Sequence, residues 1–424
     1  MAELIQPVRG MNDVLPEKSP LWDRVESTAA ALFAGYGYQR VRLPVLERTE
    51  LFSRSIGELT DIVEKEMYTF EDRNGEVVTL RPEATAGVVR AALSNGLLHN
   101  QQQKLWCAGP MFRREKPQKG RYRQFHQLSV EALGFAEPEI DAELIALSAR
   151  LWRELGIQSA ALELNSIGTL ESRQGYKQVL VEYFGKHRDL LDEDSLRRLD
   201  RNPLRILDSK NPALREVIAE APLFAGYLDD DSKAHFDRVQ ELLTDVGVEF
   251  TLNPRLVRGL DYYSRTVFEW LTDRLGAQSA ICSGGRYDGL VAQLGGRETP
   301  AVGWALGMER IVEVLEAEGR AGGALEADAH LVVAGEAERR YGFKLAEQLR
   351  DRVPGLKLWI GGPVAGFKAQ LRRADRSGAR FALIVGESEL AAGKISVKPL
   401  REDKPQQLLT LDECVSLLAE RCSA

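Results

Sequence analysis

Residues 105–134 read LWCAGPMFRREKPQKGRYRQFHQLSVEALG, two largely apolar runs on either side of a basic loop. Pro117 and Gly120 in the loop predict a turn, and the flanking runs predict strands, so the segment should form a β-hairpin with a basic tip. Side chains alternate across a strand. One face of the second strand should therefore carry Phe125, Gln127, Ser129 and Glu131. The opposite face should meet the core through His126, Leu128, Val130 and Ala132.

The polar face of this hairpin allows two interpretations. Arg113 and Glu115 on the first strand bring more charge to it, and charged runs are usually solvated, which favours a surface hairpin. Buried polar groups must instead find partners or line a wet cavity, which favours the floor of a site for a small polar ligand beneath a larger anionic one. The residues alone leave these two interpretations evenly balanced.

The composition predicts an ordinary globular protein of two or three domains. The chain has 424 residues, of which 44% are hydrophobic and 28% are charged. No run is long enough to span a membrane and the N-terminus lacks the pattern of a signal peptide, so we expect a cytoplasmic location. The four cysteines lack metal-ligand spacing and should be reduced, mostly buried thiols.

The net charge of -7 argues against indiscriminate nucleic-acid binding, because phosphate binding is electrostatic first. Any RNA contact should therefore use local basic patches. The helix predicted near Lys368, Arg372, Arg373 and Arg376 carries one such patch.

Hydrophobic periodicity predicts the elements around the hairpin. A helix should begin after Ser19 with Pro20 at its first position, and a strand at Tyr38–Leu43 should follow. Asn74-Gly75 between two apolar runs predicts a second hairpin.

Changes of pattern give the expected domain boundaries. Short charged helices between Thr169 and Asp231 predict a helical insertion, and the Gly/Ala-rich stretch Gly319–Ala327 predicts a linker. Beyond the linker, strands alternate with helices, which predicts a small α/β domain with a mostly parallel core. We therefore expect a first domain over residues 1–320, with the insertion at 169–231, and a second domain over residues 328–424.

Three segments resemble the motifs of the class II aminoacyl-tRNA synthetases. Phe112-Arg113-Arg114-Glu115, with the basic loop and Phe125-His126-Gln127, resembles motif 2. The helix after Ser19 and its strand resemble motif 1, which forms the family's dimer interface, although a buried surface helix would look the same. Ala301–Arg310 resembles motif 3, whose arginine covers ATP, although this arginine alone would fit a surface salt bridge better.

Within that family, the similarity is to histidyl-tRNA synthetases and covers nearly the whole chain. Arg255–Trp270 and Ser283–Gly289 are very close to two histidine-specific motifs, and Pro7–Asp13 resembles an N-terminal signature. Gly284 and Gly285 alone would more often form a bulge, whereas the family makes them part of the pocket wall. The chain departs from the family pattern at Ala84, usually glycine, and at Lys116, usually arginine.

The resemblance implies an α+β catalytic domain built on an antiparallel sheet with a helical insertion, plus a C-terminal α/β anticodon-binding domain. The implied enzyme is a ligase that activates histidine with ATP to histidyl-adenylate and then transfers histidine to the 3′ end of tRNA(His). ATP should bring Mg²⁺, held mainly by phosphates and water, with no protein metal site. The implied partners are tRNA(His) and a second copy of the chain in a homodimer.

The resemblance also assigns site residues by position. Catalysis is assigned to Arg258 and Arg113, whose guanidinium groups stay protonated and can hold two oxygens at once. The histidine-binding residues implied are Glu83, Thr85, Arg113, Gln127, Glu131, Arg258, Tyr262 and Tyr263. The ATP-binding residues implied are Arg113, Glu115, Arg121, Phe125 and Arg310. Considered without the family, Glu83 and Thr85 are more typical of helix capping.

Two alternative functions remain open at this point. A regulatory paralogue that partners a histidine-biosynthetic phosphoribosyltransferase shares the catalytic fold, but it normally lacks the terminal α/β domain and departs at the motif arginines. A nucleic-acid-binding module without catalysis would require the hairpin to be a solvated basic arm, which Glu83 and Glu131 disfavour.

Overall fold

The computed structural model describes residues 4–57, 60–207, 209, 211–276, 279–320, 327–361 and 366–422. The chain divides into two units, Met1–Ala321 and Gly322–Ala424. Most of the expected linker, at 321–326, lies outside the described residues. Among the residues described, no helix combines the length and the apolar character needed to cross a membrane.

The first unit contains ten α-helices and eleven strands among its described residues. The helices are α1 (Ser19–Gly35), α2 (Thr49–Ile56), α3 (Thr85–Ser94), α4 (Pro138–Leu155), α5 (Leu170–Lys186), α6 (Glu193–Arg201), α7 (Arg215–Glu220), α8 (Asp230–Asp245), α9 (Leu290–Gln293) and α10 (Met308–Ala317). The strands are β1 (Gln39–Arg40), β2 (Leu46–Arg48), β3 (Tyr68–Glu71), β4 (Val77–Leu80), β5 (Gln103–Phe112), β6 (Gln124–Leu133), β7 (Ala161–Ser166), β8 (Thr251–Leu252), β9 (Ser264–Leu271), β10 (Ala280–Arg286) and β11 (Ala301–Gly307).

Eight strands form one sheet in the order β1-β5-β6-β11-β10-β9-β7-β8. Its ladders are antiparallel except at the two ends, where β1 pairs with β5 and β7 pairs with β8 in parallel. The predicted hairpin is confirmed as β5 and β6, which pair from Gln103 opposite Leu133 to Phe112 opposite Gln124. The last strand, β11, lies in the middle of the sheet between β6 and β10.

The predicted alternation along β6 is confirmed for its apolar face. Leu128, Val130 and Ala132 are buried in a core that also contains residues of α1, α4, α8 and α10. His126 departs from this pattern, because it is only partly buried and lies at the edge of the core. There its backbone N–H donates to the carboxylate of Glu309, and its ring Nδ1 lies 3.1 Å from Glu309 Oε1.

A second sheet has the order β2-β4-β3. Its hairpin turns at Asn74-Gly75 as predicted, with Gly75 at φ +83° and the Asp72 Oδ1 atom accepting from the Asn74 N–H at 2.8 Å. The strand predicted at Tyr38–Leu43 is shorter, since only Gln39–Arg40 joins the ladder. The chain then turns away, and the Arg81 guanidinium binds the carbonyl oxygen of Leu43 at 3.0 Å.

A helical insert, residues 169–229, separates β7 from α8; its first helix, α5, has 17 residues and the others are short. It has its own buried cluster, which includes Tyr176, Leu180, Phe184 and Phe224. Hydrogen-bonded caps begin its first helix and the helix that follows the insert: Thr169 accepts from the Ser172 N–H, and Asp229 accepts from the Ser232 N–H.

The second unit is an α/β layer. Its helices are α11 (Glu336–Arg352), α12 (Phe367–Arg376), α13 (Glu387–Ala392) and α14 (Leu411–Cys422), and its strands are β12 (Ala329–Val333), β13 (Leu358–Ile360), β14 (Phe381–Val385), β15 (Ile395–Pro399) and β16 (Gln407–Leu409). The strand order is β13-β12-β14-β15-β16. β12 is parallel to both neighbours, but β14 with β15 and β15 with β16 are antiparallel. The expected mostly parallel core is therefore wrong for half of the sheet. The connection at 386–394 is too short for the crossover that a parallel neighbour requires.

Candidate active site

The face of the large sheet opposite the α1 and α4 helices holds a cleft of about 450 Å³, a volume typical of small-molecule sites. Eleven of the twelve residues assigned from the sequence line it. They are Glu83, Thr85, Arg113, Glu115, Arg121, Phe125, Gln127, Arg258, Tyr262, Tyr263 and Arg310. The twelfth, Glu131, lies buried beneath the floor and is bonded to Thr85.

Four chain segments bring these side chains together. The β5–β6 hairpin and its loop supply residues between Arg113 and Gln127. The turn before α3 supplies Glu83 and Thr85, and the loop before β9 supplies Arg258, Tyr262 and Tyr263. Arg310 comes from α10, which begins directly after β11. Residues that are far apart in the sequence thus share one cleft, and Arg113 and Arg258 line it together.

Glu131 is the centre of the deep end of the cleft. Its Oε1 atom accepts from the Thr85 hydroxyl at 2.8 Å, and its Oε2 atom accepts from the Tyr287 hydroxyl. Burial raises the pKa of Glu131 to about 8, although both hydrogen bonds oppose that shift. The carboxyl group is thus poised to change its protonation near neutral pH.

The carboxylate of Glu83 does cap a helix. Its Oε2 atom accepts from the Thr85 N–H at 2.7 Å and its Oε1 atom accepts from the Ala86 N–H at 2.9 Å, at the start of α3. Glu83 nevertheless also lines the cleft, so the capping bonds do not remove it from the candidate site. Burial raises the pKa of Glu83 against the lowering effect of these backbone hydrogen bonds.

Three aromatic rings surround the buried carboxylates. The ring centroids of Tyr262 and Tyr263 are 4.8 Å apart, and the centroid of Tyr287 lies 5.6 Å from that of Tyr262. Burial raises the pKa of all three hydroxyls, so they remain neutral donors and acceptors at physiological pH. Beside them, Gln127 Oε1 is buried and has no hydrogen-bond partner within the described parts of the chain.

An ion pair with Glu269 holds the Arg258 side chain on one side. Its Nη1 atom donates to Glu269 Oε1 at 2.9 Å, and Ser283 Oγ donates to the same oxygen at 2.9 Å. Burial lowers the pKa of Arg258, but Glu269 together with Tyr263 and Tyr262 more than offsets burial and raises it, so the side chain stays charged. Its Nε atom is buried and has no partner among the residues described.

Arg113 approaches from the hairpin. Its Nε atom donates to the carbonyl oxygen of Pro82 at 2.9 Å, and its guanidinium carbon lies 5.3 Å from the ring centroid of Phe125. This bond leaves the Nη atoms in a cleft shared with Arg258. Two guanidinium groups held in place by the protein suit an anionic ligand such as a phosphate.

The outer end of the cleft is formed by the basic loop. Arg121 Nη1 pairs with Glu115 Oε2 at 2.9 Å, and the Arg310 Nε atom donates to the carbonyl oxygen of Gly120 at 3.0 Å. Arg310 also donates to the carbonyl oxygen of Ala280. Burial and the like charge of Arg121 lower the pKa of Arg310. An anionic ligand at this end would relieve the repulsion between the two arginines.

Sequence reasoning missed Tyr287 and the network that positions it. The neighbouring Arg286 is buried, donates from Nε to Asp141 Oδ2 at 2.8 Å, and binds the carbonyl oxygens of Phe135 and Glu137. His235 Nε2 lies 3.3 Å from the Asp141 Oδ1 atom. The signal for Tyr287 was the Gly-Gly-Arg-Tyr-Asp run itself, in which the arginine ends β10 and binds Asp141 while the tyrosine that follows it binds Glu131.

Comparisons with known proteins match almost the whole chain. Residues 10–311 match the family described as histidyl-tRNA synthetase, and residues 329–421 match the family described as anticodon binding domain. A histidine–tRNA ligase of Halorhodospira halophila is 59% identical over 98% of this chain and 97% of that protein. One of Alkalilimnicola ehrlichii is 54% identical over 99% of this chain and 97% of that protein. The crystal structure of the apo histidyl-tRNA synthetase of S. aureus superposes with a TM-score of 0.83, is 35% identical, and covers 98% of this chain and 100% of that one.

Proposed function

The chain belongs to the histidyl-tRNA synthetase family, and from this premise we propose how its cleft performs the reaction of a histidine–tRNA ligase. Histidine and ATP react to give histidyl-adenylate and pyrophosphate, and the histidyl group then passes to the 3′ end of tRNA(His). The predicted fold class is confirmed: a catalytic unit with a large mixed sheet and helices, followed by an α/β anticodon-binding unit. The regulatory alternative is not favoured, because the relatives at 54% and 59% identity are ligases over almost their full length.

The observation that carries the proposal is the shared cleft of Arg113 and Arg258 above the buried Glu131. The carboxylate of histidine is ionised at neutral pH, so the first step needs no general base. It needs alignment with the α-phosphorus and neutralisation of developing negative charge. We assign that work to the two guanidinium groups, each of which contributes about 3 kcal/mol at the transition state.

The deep end of the cleft selects histidine. Glu131 and one of the tyrosines Tyr262 and Tyr263 bind the imidazole nitrogens, while Glu83, Thr85 and Gln127 bind the ammonium end. The unpartnered Gln127 Oε1 atom supports this assignment, because a buried acceptor needs a donor and an ammonium group supplies several. A site built around hydrogen bonds to its ligand rejects analogues that lack those groups by large factors.

The outer end supplies the ATP site. Adenine stacks between Phe125 and Arg310, and the phosphates face Arg113 and Arg121. The carboxylates at this end are already engaged, since Glu115 pairs with Arg121 and Glu269 with Arg258. Mg²⁺ would therefore be held mainly by the ATP phosphates and water, where it would add positive charge beside the reacting phosphorus.

We further propose a symmetric homodimer that uses the motif 1 segment around α1, where Val45 and Leu46 leave large apolar side chains exposed nearby. We also propose a cytoplasmic location, since tRNA is charged where translation takes place. Sedimentation of the purified protein tests the first proposal, and localisation of a tagged chain tests the second.

Histidine-dependent exchange of labelled pyrophosphate into ATP tests the proposed reaction directly. The expected result is exchange that requires histidine and Mg²⁺ and does not require tRNA. Absence of exchange in a folded preparation would contradict the proposal, and exchange driven equally by other amino acids would contradict the assignment of the deep end.

A further inference from the structure

The loop between β8 and β9, residues 253–263, carries four of the residues that line the cleft, Arg258, Leu260, Tyr262 and Tyr263, and has little regular structure of its own. It contains no helix or strand. Its backbone hydrogen bonds include one within the loop, from Leu256 N to Asn253 O at 3.0 Å, and one outward, from Asp261 N to Ile56 O at 3.3 Å. A loop with so few internal bonds depends on its neighbours for its conformation.

Side chains link this loop to the insert at two points. At the first point, Arg255 of the loop donates from Nη2 to the carbonyl oxygens of Ala219 and Ala221 in the insert, both at 2.7 Å. At the second, the insert donates to the loop. Asn202 Nδ2 binds Asp261 Oδ1 at 3.0 Å, and Arg205 Nη2 binds the same oxygen at 3.2 Å.

Asn202, Arg205 and Asp261 together form what we call the clasp. Arg205 strengthens it with a further hydrogen bond to the carbonyl oxygen of Gly259. The carboxylate of Asp261 also packs closely against Gly57, because a Cβ atom on Gly57 would stand 2.4 Å from the Asp261 Oδ2 atom. The clasp therefore fixes the backbone on both sides of Leu260, between Arg258 and Tyr262.

The charged side chains around the clasp also indicate that Asp261 is its central residue. A small cavity behind the cleft is lined by Arg173 and Arg205 of the insert and by Arg258 and Asp261 of the loop. The Nε and Nη2 atoms of Arg173 are buried and unpartnered among the described residues, and Asp261 is the carboxylate that lines the same cavity. Removal of Asp261 would take away the ion-pair partner of Arg205 and the carboxylate that lines the same cavity as Arg173.

We propose that the clasp makes the insert a positioning element for histidine activation, with Arg205 and Asp261 as positioning residues that act through Arg258, Tyr262 and Tyr263. The inference rests on the proposed function and deepens it. The insert thus contributes to the adenylation step itself, before any tRNA binds. A shift of the loop by about 1 Å is enough to lower a reaction rate about a hundredfold.

The test is pyrophosphate exchange without tRNA, titrated separately with histidine and with ATP. Asp261→Ala should raise the KM for histidine or lower kcat by about tenfold or more, while the KM for ATP changes less than about twofold. Asp261→Asn keeps the acceptor oxygen and should recover most of the loss. Arg205→Ala should show the same defect, and the double variant should be no worse than Asp261→Ala, because residues that act as a unit are not additive.

Arg215→Ala is the matched control, since Arg215 is an exposed arginine of the same insert. Thermal unfolding of each variant identifies a general loss of stability. If Asp261→Ala does not fold, the kinetics of Asp261→Asn and Arg205→Ala provide the test instead. The clasp is refuted if folded Arg205→Ala and Asp261→Ala proteins keep wild-type kinetics, or lose histidine and ATP affinity equally. Absence of histidine-dependent exchange in the wild-type protein would instead overturn the proposed function.

Discussion

Gly303 lies against the carboxylate of Glu131: a Cβ atom on residue 303 would stand 1.8 Å from Glu131 Oε2 and 2.6 Å from the carbonyl oxygen of Val130. Only a residue without a side chain leaves room for the carboxylate there. We predict that Gly303→Ala displaces Glu131 and weakens histidine binding by about a hundredfold, the scale of a buried charged hydrogen bond. Isothermal titration with histidine measures the loss.

Gly289→Ala is the control for that variant. A Cβ atom on residue 289 meets only Leu170 Cδ1, at 3.8 Å, which is an ordinary contact. Histidine affinity should be unchanged there. Equal losses at both positions would show that added methyl groups act through general destabilisation.

Glu131→Ala should remove histidine recognition and leave the ATP end intact. The carboxylate of Glu131 lies at the buried floor, whereas Glu115, Arg121 and Arg310 lie at the outer end of the cleft. We expect the affinity for histidine to fall at least about a hundredfold and the affinity for ATP to change less than about threefold. Equilibrium binding of each ligand alone measures both, and matched losses would count against the assignment.

The raised pKa of Glu131 predicts a pH-dependent stability. The folded carboxyl group has a pKa of about 8, whereas the ordinary pKa of a glutamate side chain is 4.5. Between these values the folded chain holds the proton and the unfolded chain has lost it, so this group makes the free energy of unfolding fall as pH rises from about 5 to 8. The slope of one proton is about 1.4 kcal/mol per pH unit.

Glu131→Gln cannot titrate and should lose that slope. Urea unfolding of both proteins at several pH values gives the comparison. Below pH 4.5 the difference between the two proteins should be constant, and above about pH 8 the variant should hold its largest relative advantage. Parallel curves through pH 5 to 8 would contradict a buried, proton-holding Glu131.

Arg258→Ala should block adenylate formation while ATP still binds. The side chain is held by Glu269 inside the cleft, but ATP contacts are assigned to the hairpin and to Arg310. Exchange should fall by about a hundredfold or more, which corresponds to about 3 kcal/mol at the transition state. Undiminished exchange would refute the role. ATP binding measured on the same preparation separates a catalytic defect from a loss of fold.

Arg286→Ala should mainly lower the free energy of unfolding. It removes the arginine paired with Asp141, which is 1% exposed, and leaves that buried carboxylate with only His235 beside it in the described part of the chain. Loss of one member of such a pair costs about 3–5 kcal/mol. Urea unfolding should show this loss, and Arg238→Ala, at an exposed arginine of α8, should change stability little. A mild effect at Arg286 would show that water reaches the pair.

Much of the fold could be predicted because short-range sequence patterns specify it. Strand alternation placed Gln127 and Leu128 on opposite faces of β6, and Asn74-Gly75 marked the second hairpin. The length of β1 could not be predicted, because it depends on Arg81 binding the carbonyl oxygens of a later turn. The antiparallel half of the second sheet depends on a short connection whose strand pairing no local pattern specifies.

The candidate site likewise has a part that could be predicted from the sequence and a part that could not. Its motif residues could be named by resemblance, and the structure brings them to one cleft. The contacts between them could not be predicted: Tyr287, directly after β10, binds Glu131 across a sequence separation of 156 residues, and both oxygens of Glu83 are used by backbone N–H groups. Partners that meet only in the folded chain leave no spacing signal. The assigned ligand roles therefore remain predictions for binding measurements.

The central place of β11 has a consequence for biosynthesis. During translation, β6 leaves the ribosome well before β11, and β10 shortly before it, although β11 finally lies between them. Until residue 307 has emerged, the nascent chain presents an unpaired edge of β6, and after residue 286 also one of β10, at what will become the middle of the sheet. Such edges template aggregation. A ribosome that pauses before that point holds a chain that cannot complete its largest sheet, so chaperone protection should matter most for nascent chains that end between residues 133 and 307.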